Sequence, residues 1–276
     1  MRVVHSLADA SLAVDQIRPS GPVVMVPTMG ALHVGHVSLI RRAQSIGASV
    51  VVSIFVNPLQ FGDSSDLATY PSDIDRDLDI CRETSVDLVW APSVEHMYPS
   101  GFATRVSVTG VSVPFEGHHR PGHFDGVATV VTKLFSVVRP DTAVFGAKDF
   151  QQVAVIKRLT SDLGLPITID VAPTVRDHDG LALSSRNVRL EPPARTRALA
   201  IPRSLRAAED AWKSGVRSSR ELEAIVATEL GDLDIEYAAV VDPSTLSERT
   251  NDDDSAVVLV AATVGGVRLI DNVVLG

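Results

Sequence analysis

Long apolar runs and an excess of basic residues are missing from this sequence, and cysteine occurs only once. No stretch approaches the roughly 18 apolar residues that a membrane-spanning helix needs. The single cysteine, Cys81, cannot form a disulfide within the chain, and its surroundings predict a small core residue in a helix. Acidic residues outnumber basic ones by 34 to 25, which gives a formal net charge of −9. Because nucleic acids and anionic membranes are bound by basic surfaces, we expect neither as a partner.

The remaining composition is that of a folded globular protein. Of the 276 residues, 45% are hydrophobic and 21% are charged, so the chain can bury one large core or two modest ones. The first residues show no basic leader followed by an apolar segment, and we therefore expect a cytoplasmic protein.

Five short runs rich in valine and isoleucine alternate with helix-like stretches in the first part of the chain. The runs cover residues 23–26, 50–56, 87–91, 142–145 and 167–171, and the helix-like stretches cover 36–48, 73–84, 125–138 and 149–162. This alternation predicts an α/β fold with a Rossmann-like, doubly wound parallel sheet. In such sheets ligands bind beyond the carboxyl ends of the strands, so polar residues at strand ends are candidate site residues.

The pattern changes after about residue 175. Two helical stretches and three strand-like runs follow, at 193–214, 219–230, 235–241, 256–263 and 266–269. They predict a second, smaller α+β domain, and we divide the chain into domains 1–175 and 176–276. The acidic stretch 247–255 is predicted to be a solvated loop.

The segment VVMVPTMGALHVGH, residues 23–36, leads from an apolar strand through a glycine-bearing turn into two histidines. Pro27 cannot continue an inner strand ladder, so we expect the strand to end there. A helix that begins near Gly35 points its free amide groups at the mouth of the sheet, where a phosphate is favoured. His33 and His36 would share one face of its first turn. Such turns also occur without a ligand, so this segment alone leaves both interpretations open.

Two other segments add polar groups near predicted strand or helix ends. VVVSIFVNPLQFG ends in Asn57 and Gln60, whose amides could bind a ligand carboxylate or hydroxyl, although a plain Asn-Pro turn is the alternative. EGHHRPGHFDGV packs three histidines and Arg120 ahead of a helix. We predict no metal site there, because no cysteine or carboxylate repeat completes a tetrahedral ligand set.

The last two segments carry cations. In FGAKDFQQ, Lys148 could neutralise a phosphate, and Gln152 would face the same cleft one turn later. In ALSSRN, at the domain junction, Ser184, Ser185 and Arg186 together could clamp an anion, because a guanidinium forks onto two phosphate oxygens.

In this order, PTMGALHVGH, FVNPLQF, RPGHFDGV, FGAKD and SSRN resemble the motifs of the pantothenate synthetases (pantoate–β-alanine ligases) nearly end to end. The first is similar to the His-x-Gly-His signature of class I aminoacyl-tRNA synthetases and nucleotidylyltransferases. The resemblance implies an enzyme that joins pantoate to β-alanine with ATP, through a pantoyl adenylate, releasing AMP and pyrophosphate. It further implies Mg²⁺ bound with the triphosphate and a homodimer.

The resemblance also assigns residues. ATP would be bound by Met29, Gly30, Ala31, Leu32, His33, Val34, Gly35, His36, Gly146, Ala147, Lys148, Asp149, Val175, Leu183, Ser184, Ser185 and Arg186. Among these, His36, His33, Lys148 and Arg186 would be catalytic, with His36 as proton donor. Gln60 would contact both pantoate and β-alanine, and Gln152 would contact pantoate. No Mg²⁺ ligand is predicted from the protein, Asp77 being a weak candidate.

Three departures from the family pattern bear on these expectations. Ala147 stands where the family usually has Glu or Gln, Phe150 where it has Tyr, and Leu183 where it has Met. Leucine is nearly isosteric with methionine, whereas Ala147 removes a polar side chain near the phosphates. Two alternatives stay open: a nucleotidyltransferase of the same superfamily, which would share the opening signature, and a nucleotide-binding protein without turnover, which Ala147 suggests. Segment 62–70 is either a mobile flap or a surface loop.

Overall fold

The structure, a computed structural model, describes residues 1–47, 49–62, 67–249 and 255–276. Its larger sheet has six strands, all paired in parallel, in the order β1-β4-β3-β2-β5-β6. These are β1 (Arg2–Val4), β2 (Val23–Thr28), β3 (Ser49–Ile54), β4 (Leu88–Trp90), β5 (Thr142–Gly146) and β6 (Thr168–Ala172). The five predicted runs correspond to β2–β6, which confirms the doubly wound α/β fold. β1 lies outside the predicted runs.

Helices flank this sheet. They are α1 (Leu7–Ile17), α2 (Val34–Ser45), α3 (Ile74–Glu83), α4 (Val94–Met97), α5 (Glu116–His119), α6 (His123–Val138) and α7 (Phe150–Asp162). The four predicted helices of this part begin within two residues of the starts of α2, α3, α6 and α7. α2 ends earlier than predicted, at Ser45, since Gly47 turns the chain with a φ of +77°. Residue 48 lies outside the described part.

The smaller domain has an antiparallel sheet, and its elements are α8 (Pro192–Ala198), α9 (Ala200–Lys213), α10 (Ser219–Leu230), β7 (Asp234–Val241), β8 (Ala256–Val264) and β9 (Val267–Leu275). The single helix predicted over 193–214 is divided at Leu199. Pro202 has no N–H to donate to the Ala198 carbonyl, so the helical ladder is interrupted there. Residues 250–254 of the predicted acidic loop lie outside the described residues.

The last strand is longer than predicted. The apolar pattern of β9 is broken by Asp271 and Asn272, which is why the sequence predicts a strand that stops at residue 269. Both side chains are nevertheless buried, at 4% and 7% exposure, because each has hydrogen-bond partners outside its own sheet. This strand therefore brings polar groups to the domain junction.

Three apolar clusters hold the fold together. One lies between the large sheet, helices α1, α6 and α7, and the inner face of the small sheet, to which Val257 and Leu259 contribute. A second covers the opposite face of the large sheet with α2 and α3, and includes the buried Cys81, as predicted. The third packs α9 and α10 on the outer face of the small sheet. Among the described helices, none combines the length and apolar character that crossing a bilayer requires.

A crevice opens where β2 and β5 separate. These strands pair only at Val24 with Thr142 and at Met25 with Ala143, and both then continue without pairing to each other. The expected strand end at Pro27 is wrong by one residue, since β2 runs to Thr28. Pro27 is tolerated because it lies beyond the last pair with β5. The crevice is the switch point of the sheet, where the chain leaves β2 and β5 toward opposite sides.

Candidate active site

A cleft occupies this crevice and is bordered by the chain that crosses into the smaller domain. Most of the predicted site residues form its wall. They are Met29, His33, Gly35, His36, Gln60, Gly146, Lys148, Asp149, Gln152, Val175, Leu183, Ser184, Ser185 and Arg186.

The two histidines are fixed by hydrogen bonds at the beginning of α2. His33 is the N-cap residue, and its Nδ1 accepts from the Gly35 amide at 3.1 Å. The His33 amide donates to Nδ1 of His36 at 3.2 Å. A ring nitrogen that accepts carries no proton, so the neutral rings carry theirs on Nε2. A Cβ atom at Gly35 would lie 2.8 Å from the His33 ring, so this cap geometry requires glycine.

Both rings are uncharged at neutral pH. Burial, with a smaller contribution from the neighbouring His33, lowers the pKa of His36 to about 3. Burial and the charge of Lys148 also lower the pKa of His33. The ring centroids are only 4.2 Å apart, so protonating both would place like charges side by side. The histidines can therefore donate hydrogen bonds to an anion, while positive charge must come from other groups.

The loop between β2 and α2 is held by Asp77 of α3. Its carboxylate accepts from the amides of Ala31 at 2.9 Å and Leu32 at 2.7 Å. Gly30 has a φ of +82°, and a Cβ atom there would lie 2.8 Å from Asp77 Oδ2. Asp77 is 1% exposed and does not line the cleft, so its carboxylate supports the turn and is not placed to hold a metal ion with a ligand.

Five predicted nucleotide-site residues are not part of the described cleft wall. These are Gly30, Ala31, Leu32, Val34 and Ala147. Leu32 is a core residue, and Val34 is 67% exposed. The alanine at position 147 therefore leaves the cleft wall intact.

Gln60 is oriented by a chain of hydrogen bonds. Asn57 Nδ2 donates to Gln60 Oε1 and to the Gly126 carbonyl, both at 3.0 Å, and the Tyr98 hydroxyl donates to Asn57 Oδ1 at 2.8 Å. This holds the Gln60 amide with Nε2 toward Met29 Sδ on the cleft wall, at 3.0 Å. Gln60 is thus presented as a donor, as a carboxylate or hydroxyl oxygen requires.

His123 supports the same turn from α6. Its Nδ1 lies 2.8 Å from the Gln60 carbonyl oxygen, which can only accept, so Nδ1 carries the proton. Nε2 then faces Arg120 Nη1 at 3.3 Å. Burial and Arg120 lower the pKa of His123 to about 4. This histidine is therefore neutral and structural, and among the described residues no group of His, Cys, Asp or Glu is arranged to hold a metal ion.

A short 3₁₀ turn leads from β5 into α7 and carries the cleft lysine. Lys148 Nζ lies 3.7 Å from Asp149 Oδ1, and its side chain is 19% exposed. Gln152 lies on the cleft wall one turn further along. The adjacent Gln151 is buried instead and bonds to the backbone of residues 111–116. The helical spacing thus separates a cleft glutamine from a core glutamine.

The opposite wall comes from the segment that enters the smaller domain. The Leu183 amide donates to the Val175 carbonyl at 3.0 Å, and Ser184 Oγ accepts from the Arg186 amide at 3.3 Å. The Arg186 guanidinium lies 5.8 Å from the centre of the Tyr70 ring. Residues 63–66 of the predicted flap lie outside the described part, but Tyr70 itself lines the cleft.

A buried ion-pair cluster joins the two domains beside the cleft. Glu116 accepts from Arg268 Nη1 at 2.8 Å and from the Tyr237 hydroxyl at 2.7 Å, and Arg268 Nε also bonds to Glu236 at 2.9 Å. Burial raises the pKa of Glu116, but the hydrogen bonds and charge of Arg268 outweigh it and lower that pKa to about 2. The cluster keeps a carboxylate charged at a site where burial alone would neutralise it.

Comparison with known proteins identifies the family. The sequence model of the pantoate-beta-alanine ligases matches residues 2–274. The chain belongs to the pantoate–β-alanine ligase family.

Individual members of this family are similar to this chain over nearly their whole length. A pantothenate synthetase of Rhizorhabdus wittichii is 50% identical over 275 residues, covering 99% of this chain and 98% of the relative. The crystal structure of the Thermus thermophilus family member has a TM-score of 0.94 at 45% identity, covering 99% of both chains. The Francisella tularensis ligase, complexed with beta-gamma ATP and beta-alanine, has a TM-score of 0.82 at 34% identity, covering 99% of this chain and 97% of that chain.

Sequence reasoning missed the residues that support the site from a distance. Tyr98 and Arg268 act on Gln60 and Glu116, from which they are separated by many residues in sequence, and no local pattern points to such pairs. Asp77 is predicted from sequence only as a weak metal ligand, not as the support of a turn. For Asp271 and Asn272 a signal existed, because a polar pair inside an apolar strand has to find partners.

Proposed function

We propose that this chain condenses pantoate with β-alanine to form pantothenate, consuming ATP and releasing AMP and pyrophosphate through a pantoyl adenylate. One observation carries the proposal. The donor ends of His33 and His36, the cations Lys148 and Arg186, and the amides of Gln60 and Gln152 meet in a single cleft at the switch point of the sheet. This arrangement suits a polyanion and a small polar acid side by side.

In the first step, a pantoate carboxylate oxygen attacks the α-phosphorus of ATP, and the bond from that phosphorus to the bridging oxygen of pyrophosphate breaks. A carboxylate is already a nucleophile at neutral pH, so the step needs alignment and charge stabilisation more than a base. We assign the neutral Nε2–H groups of His33 and His36 to phosphate oxygens. Lys148 and Arg186 would offset the charge that develops on the leaving pyrophosphate.

Mg²⁺ is proposed to enter with the triphosphate. The carboxylate of Asp77 is engaged by two loop amides, and no dedicated ligand cluster is present among the described residues. This fits an ion held mainly by phosphate oxygens and water, as is usual for Mg²⁺ bound with nucleotides. When bound, it would supply additional charge neutralisation at the phosphates.

In the second step, the neutral amine of β-alanine attacks the activated carbonyl carbon, the resulting ammonium gives a proton to water, and the carbon–oxygen bond to AMP breaks. We propose that Gln60 holds both acids, because its amide is fixed as a donor toward the cleft. Tyr70 lies between the two walls and would help to keep water from the adenylate.

Three further proposals concern the whole protein. We propose that residues 1–175 bind ATP and pantoate, and that residues 176–276 contribute the SSRN loop. A cytoplasmic location and a homodimer are proposed from family membership. Light scattering of the purified chain tests whether it is a homodimer.

A coupled AMP assay tests the proposed reaction. With ATP and pantoate alone, we expect at most a single burst of pyrophosphate, and addition of β-alanine should give continuous AMP release. Transfer of AMP to a phosphorylated acceptor would favour the nucleotidyltransferase alternative. ATP binding in calorimetry without AMP release, with both acids present, would favour a binding protein without turnover.

A further inference from the structure

Asn272, in the last strand of the smaller domain, is bonded to the turn that carries Lys148. Its Nδ2 donates to the carbonyl oxygens of Ala147 at 3.0 Å and Lys148 at 2.8 Å. These partners lie 125 and 124 positions away in sequence and belong to the other domain. A buried asparagine needs partners, but here both donor bonds go to the one turn on which the cleft lysine sits.

These two bonds fix the orientation of successive peptide planes. In a trans peptide the carbonyl oxygen and the amide hydrogen of the next residue point in opposite directions. With the carbonyls of Ala147 and Lys148 turned toward β9, the amides of Lys148 and Asp149 point away from it. The backbone on both sides of the Lys148 Cα atom is thereby set, and with it the direction in which the side chain leaves the turn.

The position of Asn272 is itself fixed by contacts of its neighbour Asp271. Asp271 Oδ1 accepts from the backbone amide of Asn272 at 2.8 Å. The same carboxylate binds the Arg176 guanidinium through two hydrogen bonds, at 2.6 and 3.0 Å. Arg176 follows Val175 in the segment that forms the opposite wall of the cleft, and it also donates to the Gly180 carbonyl at 3.2 Å. Adjacent residues of β9 thus contact the turn that carries Lys148 on one wall and the residue that follows Val175 of the other wall.

We infer that Asn272 is a positioning residue for adenylate formation, holding the Lys148 turn at the distance from the other wall that the triphosphate requires. The inference rests on the proposed function, because it gives Lys148 a role at the phosphates. The smaller domain would then contribute to the first chemical step in two ways, through the SSRN loop and through Asn272. Asn272 acts through Lys148 and does not contact substrate.

A double-mutant cycle on the full chain tests this. With ATP, pantoate and β-alanine all present, Asn272→Ala should lower kcat for pyrophosphate release by about 10- to 100-fold, because small misplacements of a charged group are costly. The KM for pantoate should stay within about threefold of wild type, since Gln60 and Gln152 are not moved. In a Lys148→Ala background, the same Asn272→Ala change should cost less than about twofold, because the group it positions is gone.

Val274→Ala, on an exposed position of the same strand, is the matched control and should keep wild-type kcat. If Asn272→Ala does not fold, Asn272→Asp takes its place, since it keeps the size and removes the donor. Wild-type kcat in the folded Asn272 variant would overturn the inference, and so would an equal fold-loss in both backgrounds, which a merely structural role predicts. Wild-type protein that releases no pyrophosphate would instead refute the proposed function.

Discussion

At the level of single residues, Lys148 and Arg186 bring the positive charge of the cleft, whereas the two histidines are neutral hydrogen-bond donors. His33 and His36 are neutral because they are buried side by side next to Lys148. Their protons sit on Nε2 because each Nδ1 accepts a backbone amide. The cap of α2 thus decides the tautomer, and the tautomer decides what the rings can offer a phosphate.

Because His36 offers a neutral Nε2–H donor, two replacements of this residue should have different outcomes. His36→Ala should lower adenylate formation by about 100- to 1000-fold, as expected for the loss of one transition-state donor. His36→Gln should recover most of that loss, because its Nε2 amide can replace the ring Nε2–H. Single-turnover pyrophosphate release measures both, with ATP binding in calorimetry as the control for folding. If the glutamine variant is as slow as the alanine variant, His36 transfers a proton and is more than a neutral donor.

At the level of elements, the position of Gln60 depends on how closely α6 approaches the turn at residues 58–60. The approach is possible because residue 126 has no side chain, since a Cβ atom there would lie 2.3 Å from the Leu59 carbonyl oxygen. His123, one turn earlier on α6, then reaches the Gln60 carbonyl.

We therefore expect Gly126→Ala to push the helix and the turn apart. Overpacking of this kind should lower the free energy of unfolding by about 1–3 kcal/mol and raise the KM for pantoate. Urea denaturation and initial-rate kinetics measure the two effects. Gly62→Ala is the matched control, because no atom of the described residues lies within 4 Å of a Cβ atom there. A Gly126→Ala variant with the wild-type KM for pantoate would show that substrate binding does not depend on the close contact between α6 and the turn.

How far the sequence predicts these elements depends on the range of the interactions that form them. β2–β6 and the helices between them follow from local periodicity and caps, so their positions are predictable to within a few residues. The division at Pro202 also has a local cause, because a missing N–H acts within one turn. The length of β9 has no local cause, since Asp271 and Asn272 form hydrogen bonds with partners that only the folded chain brings near.

The same limit applies to the site. The motifs at the strand ends predict that His33 and Lys148 lie near each other, because the carboxyl ends of parallel strands share an edge, and the family resemblance adds Arg186. They do not predict the orientation of Gln60, which depends on Tyr98 and on Gly126 far along the chain.

On the scale of the whole molecule, one guanidinium of the smaller domain is paired with a buried carboxylate of the larger one. Arg268 of the smaller domain binds Glu116, whose side chain is 7% exposed. Removing one partner of a buried pair is strongly destabilising, even though Glu116 would keep the Tyr237 hydroxyl at 2.7 Å and Arg120 Nη1 at 3.6 Å. Arg268→Met should therefore lower the free energy of unfolding by about 3 kcal/mol.

Chemical denaturation measures this change. Adding Glu116→Gln to Arg268→Met should restore part of the loss, because it removes the stranded charge. The matched control is Arg158→Met, which breaks an exposed pair with Asp162 and should cost less than about 1 kcal/mol. If Arg268→Met costs no more than this control, the cluster does not stabilise the junction.

The stability of the whole molecule should also depend on pH, in a window set by its buried histidines. The pKa values of His36 and His123 in the folded protein are about 3 and about 4, both below the ordinary histidine value of 6.5. The unfolded chain therefore binds more protons below pH 6.5, so the free energy of unfolding falls as the pH is lowered from about 6.5 toward 4. Each histidine contributes up to about 1.4 kcal/mol per pH unit. Glu116, with a pKa of about 2 against 4.5, extends the loss below pH 4.5.

His123→Asn isolates one of these contributions, because its Nδ2 amide can replace Nδ1–H as donor to the Gln60 carbonyl while carrying no titratable group. Urea denaturation at a series of pH values should show the slope between pH 6 and 4 reduced by up to about 1.4 kcal/mol per unit in this variant. The difference between variant and wild type at pH 8, where both side chains are neutral, corrects for lost packing. Parallel curves across the whole range would mean that His123 titrates alike in the folded and unfolded chains, and that its burial behind the cleft does not destabilise the protein in acid.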